Sequence, residues 1–143
     1  MISAELPKPK IDGKNIWPLI VGEPGAKSPH EAYFLYYGNQ LQAVRTERWK
    51  LHLPHGYRHY LMDEVGRDGH PGKTVNQKID YALFDMDADV NETTDVKDQH
   101  PEVVERMKQL AEQMRADLGD QGKPGPGIRP AGQLTPDDPR LTW

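Results

Sequence analysis

The stretch from Ser28 to Leu53, SPHEAYFLYYGNQLQAVRTERWKLHL, limits what this chain can fold into more than any other part of it. Three strand-like segments and two short turns follow one another there without room for a helix. Ala32 to Tyr37 is aromatic and apolar, Leu41 to Thr46 begins Leu-Gln-Ala-Val-Arg, and Trp49 to Leu53 reads Trp-Lys-Leu-His-Leu. Period-two patterning punctuated by Gly38-Asn39 and by Thr46-Glu47-Arg48 is the signal of an antiparallel meander. Register follows from the same pattern, because a slip of one residue would invert every side chain. Val44 should therefore be buried with Leu51 or Trp49, while Gln42 and Lys50 face outward.

Two further elements complete the expected fold. Tyr81 to Asp85 reads as a fourth strand. Pro101 to Leu118 reads as a helix, with proline at its first position and Glu102 and Glu105 near its amino terminus. Val103, Val104, Met107, Leu110, Ala111, Met114 and Leu118 recur at three- and four-residue spacing until Gly119. The predicted class is α+β: a small antiparallel four-stranded sheet with one long helix packed on a face, and a Pro/Gly-rich carboxy-terminal tail. Residues 1–119 form the expected subdomain and 120–143 the tail. Asn15 is placed to cap a helical turn over Ile16 to Val21, and Gly22 to Ser28 is a loop by composition. From Pro54 to Ile79 the alternation dissolves, and that segment reads as a long loop inserted between the third and fourth strands, of the kind often tied to function.

Composition narrows the function classes. With 143 residues a single core is expected, yet only 36% of the chain is hydrophobic and Gly and Pro number 13 each, so much of it must be loop. A net charge of −4 leaves no basic stripe for nucleic acid. There is no apolar run of membrane-spanning length, and Met1 to Lys10 lacks the apolar core of a signal peptide. The chain has no cysteine, which suits a reducing or an oxidising compartment equally.

The ordered motifs carry a family resemblance. An Asp-Gly segment enters IDGKNIWPLI, Ser28-Pro29-His30-Glu31 precedes an aromatic strand, Ala43-Val44-Arg45 precedes Trp49-Lys50-Leu51, and Leu83-Phe84-Asp85 is followed by His100-Pro101-Glu102-Val103-Val104. In that order they resemble the carboxy-terminal subdomain of arylsulfatase-type sulfatases, over roughly Ile11 to Arg129. Arg129-Pro130-Ala131-Gly132 matches, in kind, the tail that returns along the body of such enzymes. Met1 to Pro7 is similar to mid-chain sequence of the family, which suggests an internal fragment. The resemblance implies a catalytic domain as partner, carrying the calcium and a formylglycine made from the cysteine or serine of a C/S-x-P-x-R motif. No such motif stands here: Ser3 and Ser28 are the two serines, and Ser28-Pro29-His30-Glu31-Ala32 has proline at the wrong offset and no arginine. No cofactor is therefore expected in this chain. Parent enzymes of the family are often periplasmic or secreted.

Several constellations invite chemistry. Asp85, Asp87, Asp89 and Asn91 alternate like the start of a calcium loop, but Val90 stands where the turn glycine belongs and Val96 where the last glutamate belongs, so an acidic turn is the better reading. His52, His55 and His59 stand beside Tyr57 and Arg58. Three imidazoles could serve a metal, but zinc needs a fixed tetrahedron and usually a fourth ligand, and no metal site is assigned. Recognition is the more natural role. Arg58 offers paired donors to an oxyanion, so His52, His55, Tyr57, Arg58 and His59 are the candidate substrate-binding residues for a sulfated small molecule or carbohydrate. The bland alternative is a solvated loop. Tyr33, Tyr36, Tyr37 and Trp49 read as core, and Arg45 and Lys50 as outward side chains paired with Glu31 or Glu47. No Ser-His-Asp set and no phosphate loop can be built; GKPGPG at Gly122 to Gly127 has prolines where free amides are needed.

Two functions from different classes remain open at this point. One is the carboxy-terminal part of a sulfatase, a hydrolase of sulfate esters, with the nucleophile elsewhere and this chain alone inactive. The other is a free-standing, non-catalytic binding or interaction module derived from a sulfatase. The first would leave Ile11, Ile16, Trp17, Leu19 and Ile20 uncovered in the absence of the catalytic domain, and the isolated chain is then expected to self-associate, whereas a self-sufficient module would be a monomer.

Overall fold

The computed structural model describes residues 11–129. Its centre is a four-stranded antiparallel sheet of β1 (Tyr33–Tyr37), β2 (Gln40–Arg45), β3 (Trp49–His52) and β6 (Ala82–Asp85), in that spatial order. Between β3 and β6 the chain leaves the sheet to form a hairpin of β4 (His55–Tyr60) and β5 (Thr74–Ile79). The helix α1 (Trp17–Ile20) precedes the sheet; α2 (Pro101–Leu118) comes after it, with the short pair β7 (Gly119–Asp120) and β8 (Lys123–Pro124) behind. The architecture is the α+β one expected.

Cross-strand partners share a face, so the register defines two sides of the sheet. Phe34, Val44, Leu51 and Leu83 lie opposite one another in a row, and Tyr36 lies opposite Leu41. This is the side that α2 covers. Leu41, Val44, Leu51, Leu53 and Leu83 join Met107, Leu110 and Ala111 in the core. Leu35, Ala43, His52 and Ala82 form the corresponding row on the other side.

A β-bulge explains how Leu41 and Val44, three residues apart, both reach the core. Strict alternation would send them to opposite faces. The register shifts at Leu35/Tyr36, whose partners are Ala43 and Leu41, so Gln42 is the extra residue that resets the phase. Gln42 and Lys50 are half-buried.

The helix runs over the residues its periodicity marks, with Pro101 in its first turn. Gly119 ends it at φ 85 and ψ −178, a conformation essentially restricted to glycine. A Cβ there would stand 2.0 Å from the Lys123 carbonyl oxygen. Hydrogen bonds tie down the chain beyond the helix. The Asp120 carboxylate accepts the Leu41 N–H at 2.9 Å and the Arg115 Nε–H at 2.7 Å, Tyr36 donates its hydroxyl to the Gly119 carbonyl at 2.9 Å, and the Gln121 N–H reaches the Asn39 carbonyl at 2.7 Å. The start of the tail is thereby fastened to the β1–β2 turn. Residues 130–143 of the expected tail, and the Met1 to Pro7 segment, lie outside the described residues.

Three expectations need correcting. Pro54 to Ile79 is no loop, since β4 and β5 pair from His55↔Ile79 to Tyr60↔Thr74. Its strands read HGYRHY and TVNQKI and are exposed on both faces except at half-buried His55 and Ile79, so no core writes an apolar alternation into them. Tyr33 and Tyr37 are 68% and 71% exposed because they point away from the helix-covered side, while Tyr36 and Trp49 are half-buried. Lys50 pairs with Glu92, not with Glu31 or Glu47. A smaller adjustment concerns α1, which is shorter than Ile16 to Val21; Asn15 Oδ1 accepts the Trp17 N–H at 3.0 Å.

Candidate functional site

Strand alternation sorts the five candidate residues into two groups. His55, Tyr57 and His59 occupy every second position of β4 and so share one face, with Arg58 between them on the other. Ring contacts bear this out: His55 and Tyr57 centroids are 6.4 Å apart, as are those of Tyr57 and His59. At the root of the hairpin the row continues into the sheet, where His52 and His55 stack at 5.5 Å with 19° between their planes. Four of the five candidates therefore form one continuous ladder of rings. Arg58 does not join it.

The ladder's polar atoms are oriented from behind. His55 Nδ1 lies 2.6 Å from the Leu53 carbonyl, a contact that needs the proton on Nδ1 and leaves Nε2 as the free acceptor when the ring is neutral. The Tyr57 hydroxyl donates to Gln77 Oε1 at 2.7 Å across the hairpin, so the Gln77 amide nitrogen keeps its donors. Tyr57 and His59 are exposed and His55 is half-buried.

His52 sits on the sheet side opposite α2, edge-on to Phe84 at 5.6 Å. Its Nε2 lies 2.6 Å from Glu92 Oε2, and Lys50 Nζ lies 2.5 Å from Glu92 Oε1. Its Nδ1 is buried without a partner. Burial pushes the His52 imidazole below its ordinary value, against the opposing pull of Glu92. A neutral ring fits this geometry: Nε2–H donates to the carboxylate, and Nδ1 is a bare lone pair instead of a buried unmet N–H. Contact with Glu92 is thus a charge-assisted hydrogen bond and not an ion pair. Burial would raise the Glu92 carboxyl, but the bonds from Lys50 and His52 outweigh it and hold the group below its usual range. Glu92 and Lys50 are the members of this cluster that sequence reading missed. Glu92 is 40 positions from His52 and sits at φ 57, so nothing local advertises it.

The acidic turn after β6 is committed to structure. Asp85 grips the Arg48 guanidinium with both oxygens, at 3.1 Å from Nε and 2.6 Å from Nη2 for one of them. Asp89 accepts the Thr93 and Thr94 N–H groups at 2.8 and 2.7 Å and the Thr93 hydroxyl at 2.9 Å. Carboxylates so engaged do not converge on a cation, and no group of three or more His, Asp or Glu among the described residues is arranged to hold a metal. No described helix is long and apolar enough to cross a membrane. A hollow of about 480 Å³ opens beside the first turn of α2, away from the ladder. Its lysines are occupied, Lys97 by Asp95 and Lys108 over the Tyr81 ring at 4.5 Å.

One sheet with a helix on one side and a ring-bearing hairpin rooted at the other defines a small α+β domain. The family model for the C-terminal region of aryl-sulfatase matches residues 28–124, from just before β1 to the end of β8, and the chain belongs to that family. No curated protein matches it.

Proposed function

We propose that this chain is the carboxy-terminal part of a sulfate-ester hydrolase, supporting a catalytic domain and shaping the substrate side of its cleft with the β4–β5 hairpin. The observation that carries this reading is the family match, which runs through sheet, hairpin and helix without a break. In that arrangement the catalytic domain supplies the formylglycine, and the calcium with it; Asp85 and Asp89, already bonded to Arg48 and to Thr93 and Thr94, do not fit a cation here. The ladder of His52, His55, Tyr57 and His59 faces the organic part of the ester, while Arg58, on the other face of the hairpin, takes no part in that contact.

The test is release of 4-nitrocatechol from its sulfate, with calcium present. The chain alone should give no turnover above background, because no residue in it can form the hydrated aldehyde nucleophile. Joined to a catalytic domain with a C/S-x-P-x-R motif, it should restore turnover. Activity of the isolated chain that survives repurification and disappears in His55→Ala or His59→Ala would overturn the proposal. So would full activity of the catalytic domain without this chain.

A further inference from the structure

The two edges of the four-stranded sheet are finished differently. At β6 the chain closes its own edge: the Leu83 N–H donates to Asp95 Oδ1 at 3.0 Å, and the Leu83 carbonyl accepts the Val96 N–H at 2.9 Å. At β1 no described residue outside the sheet hydrogen-bonds the main chain. The turn settles which of its groups face outward. Gly38, at φ 58, and Asn39 make a two-residue loop, so Tyr37 and Gln40 exchange both main-chain bonds across it. Direction alternates along the strand from there, and the N–H and C=O groups of Phe34 and Tyr36 point away from β2. Open edges are commonly blunted by lysine, proline or a bulge. β1 reads Tyr-Phe-Leu-Tyr-Tyr, without charge or proline, and the bulged residue is Gln42 on β2.

We propose that two copies of this chain pair antiparallel through β1, making one sheet continuous across both. The strand is a near-palindrome about Leu35, and that makes it its own complement. With Leu35 at the two-fold axis, Tyr33 lies opposite the partner's Tyr37, and Phe34 lies opposite the partner's Tyr36. The outward groups of Phe34 and Tyr36 then meet, and each such pair closes with two main-chain bonds. On the side away from α2 the pairing covers Tyr33 and Tyr37, the exposed rings of the strand, and opposes no like charges. Association stops at two copies, because β6 offers no second open edge from which a filament could grow. This pairing goes beyond the hydrolase reading and does not depend on it.

The test uses the full chain carrying Trp17→Ser and Ile20→Ser, which removes exposed apolar side chains of α1 and leaves β1 untouched. Sedimentation over a concentration series should show a monomer–dimer equilibrium. Adding Tyr33→Lys with Tyr37→Lys sets ammonium groups opposite one another and should raise the dissociation constant by roughly tenfold or more. Adding Tyr33→Lys with Tyr37→Glu instead sets opposite charges across the axis and should keep the dimer. Circular dichroism confirms that both variants fold. In the dimer, amide exchange at Phe34 and Tyr36 should slow by about tenfold or more against the dilute chain, while Tyr33, Leu35 and Tyr37, already bonded to β2, hold steady. A monomer at every concentration, a dimer indifferent to the paired lysines, or equal loss in both charge variants overturns the proposal. Protection of Phe34 and Tyr36 in a monomer would put another strand on this edge and overturn it as well.

Discussion

His52 is the residue whose surroundings have the most consequence for behaviour in solution. Its neutral ring donates to Glu92, its Nδ1 is buried, and the charged or titratable groups around it are Lys50 and Glu92 on the sheet side and His55 on the hairpin. Because burial depresses its folded-state value, the unfolded chain takes up the proton first as pH falls. The stability His52 confers is complete above the unfolded value of about 6.5 and is lost as pH falls through the lower folded value. Glu92, also depressed, acts with the same sign below the ordinary carboxylate range. The urea midpoint should therefore fall between about pH 7.5 and about pH 5, and His52→Gln should blunt that fall. An equally steep fall in His52→Gln would show that another group is responsible. At this scale the sequence displayed the histidines as a cluster but not their alignment, since only β4's pairing with β5 establishes that Arg58 faces away from them. Glu92 was invisible because the contact that recruits it is made across the fold.

At the scale of elements, burial decides what can be read in advance. The strands of the sheet and α2 each press one side into the core, and that constraint writes a period of two or of about 3.6 into the residues. The β4–β5 hairpin buries neither face along most of its length, so no core imposes an apolar period on its residues. The bulge at Gln42 is a subtler loss: it leaves composition unchanged while shifting the phase by one. The junction after α2 offers a direct test of local geometry. Gly119→Ala must accept a backbone conformation costing roughly 1–3 kcal/mol in addition to a clash with the Lys123 carbonyl. Gly122, at φ 79, is also left-handed, but a Cβ there meets nothing closer than Asn39 Nδ2 at 3.5 Å. Gly119→Ala should consequently lower the urea midpoint clearly more than Gly122→Ala, and equal effects would refute the close packing at the first site.

For the whole molecule, the uneven distribution of apolar surface matters most. α1 and its flanks keep Trp17 61%, Ile20 65% and Val21 47% exposed, outside the family-matched region, while the core between α2 and the sheet is closed. Apolar clusters left open in this way favour association. The chain on its own should sediment as a concentration-dependent mixture of oligomers, and the double substitution Trp17→Ser with Ile20→Ser should shift it to dimer and monomer. A wild-type monomer at every concentration, with no binding of an apolar dye, would argue instead for a self-sufficient module. The exposure of this segment was legible in its excess of apolar residues over what one short helix can pack. The hairpin's place in the topology has a different kind of consequence. His52 and Ala82 are direct cross-strand partners, so the chain leaves the sheet and re-enters it at adjacent points. Everything between them is an excursion, and doubling the length of such an excursion costs only about 0.6 kcal/mol in closure entropy. The hairpin is in effect a cassette: it can be lengthened, trimmed or given another strand while the sheet and helix beneath go on folding as before.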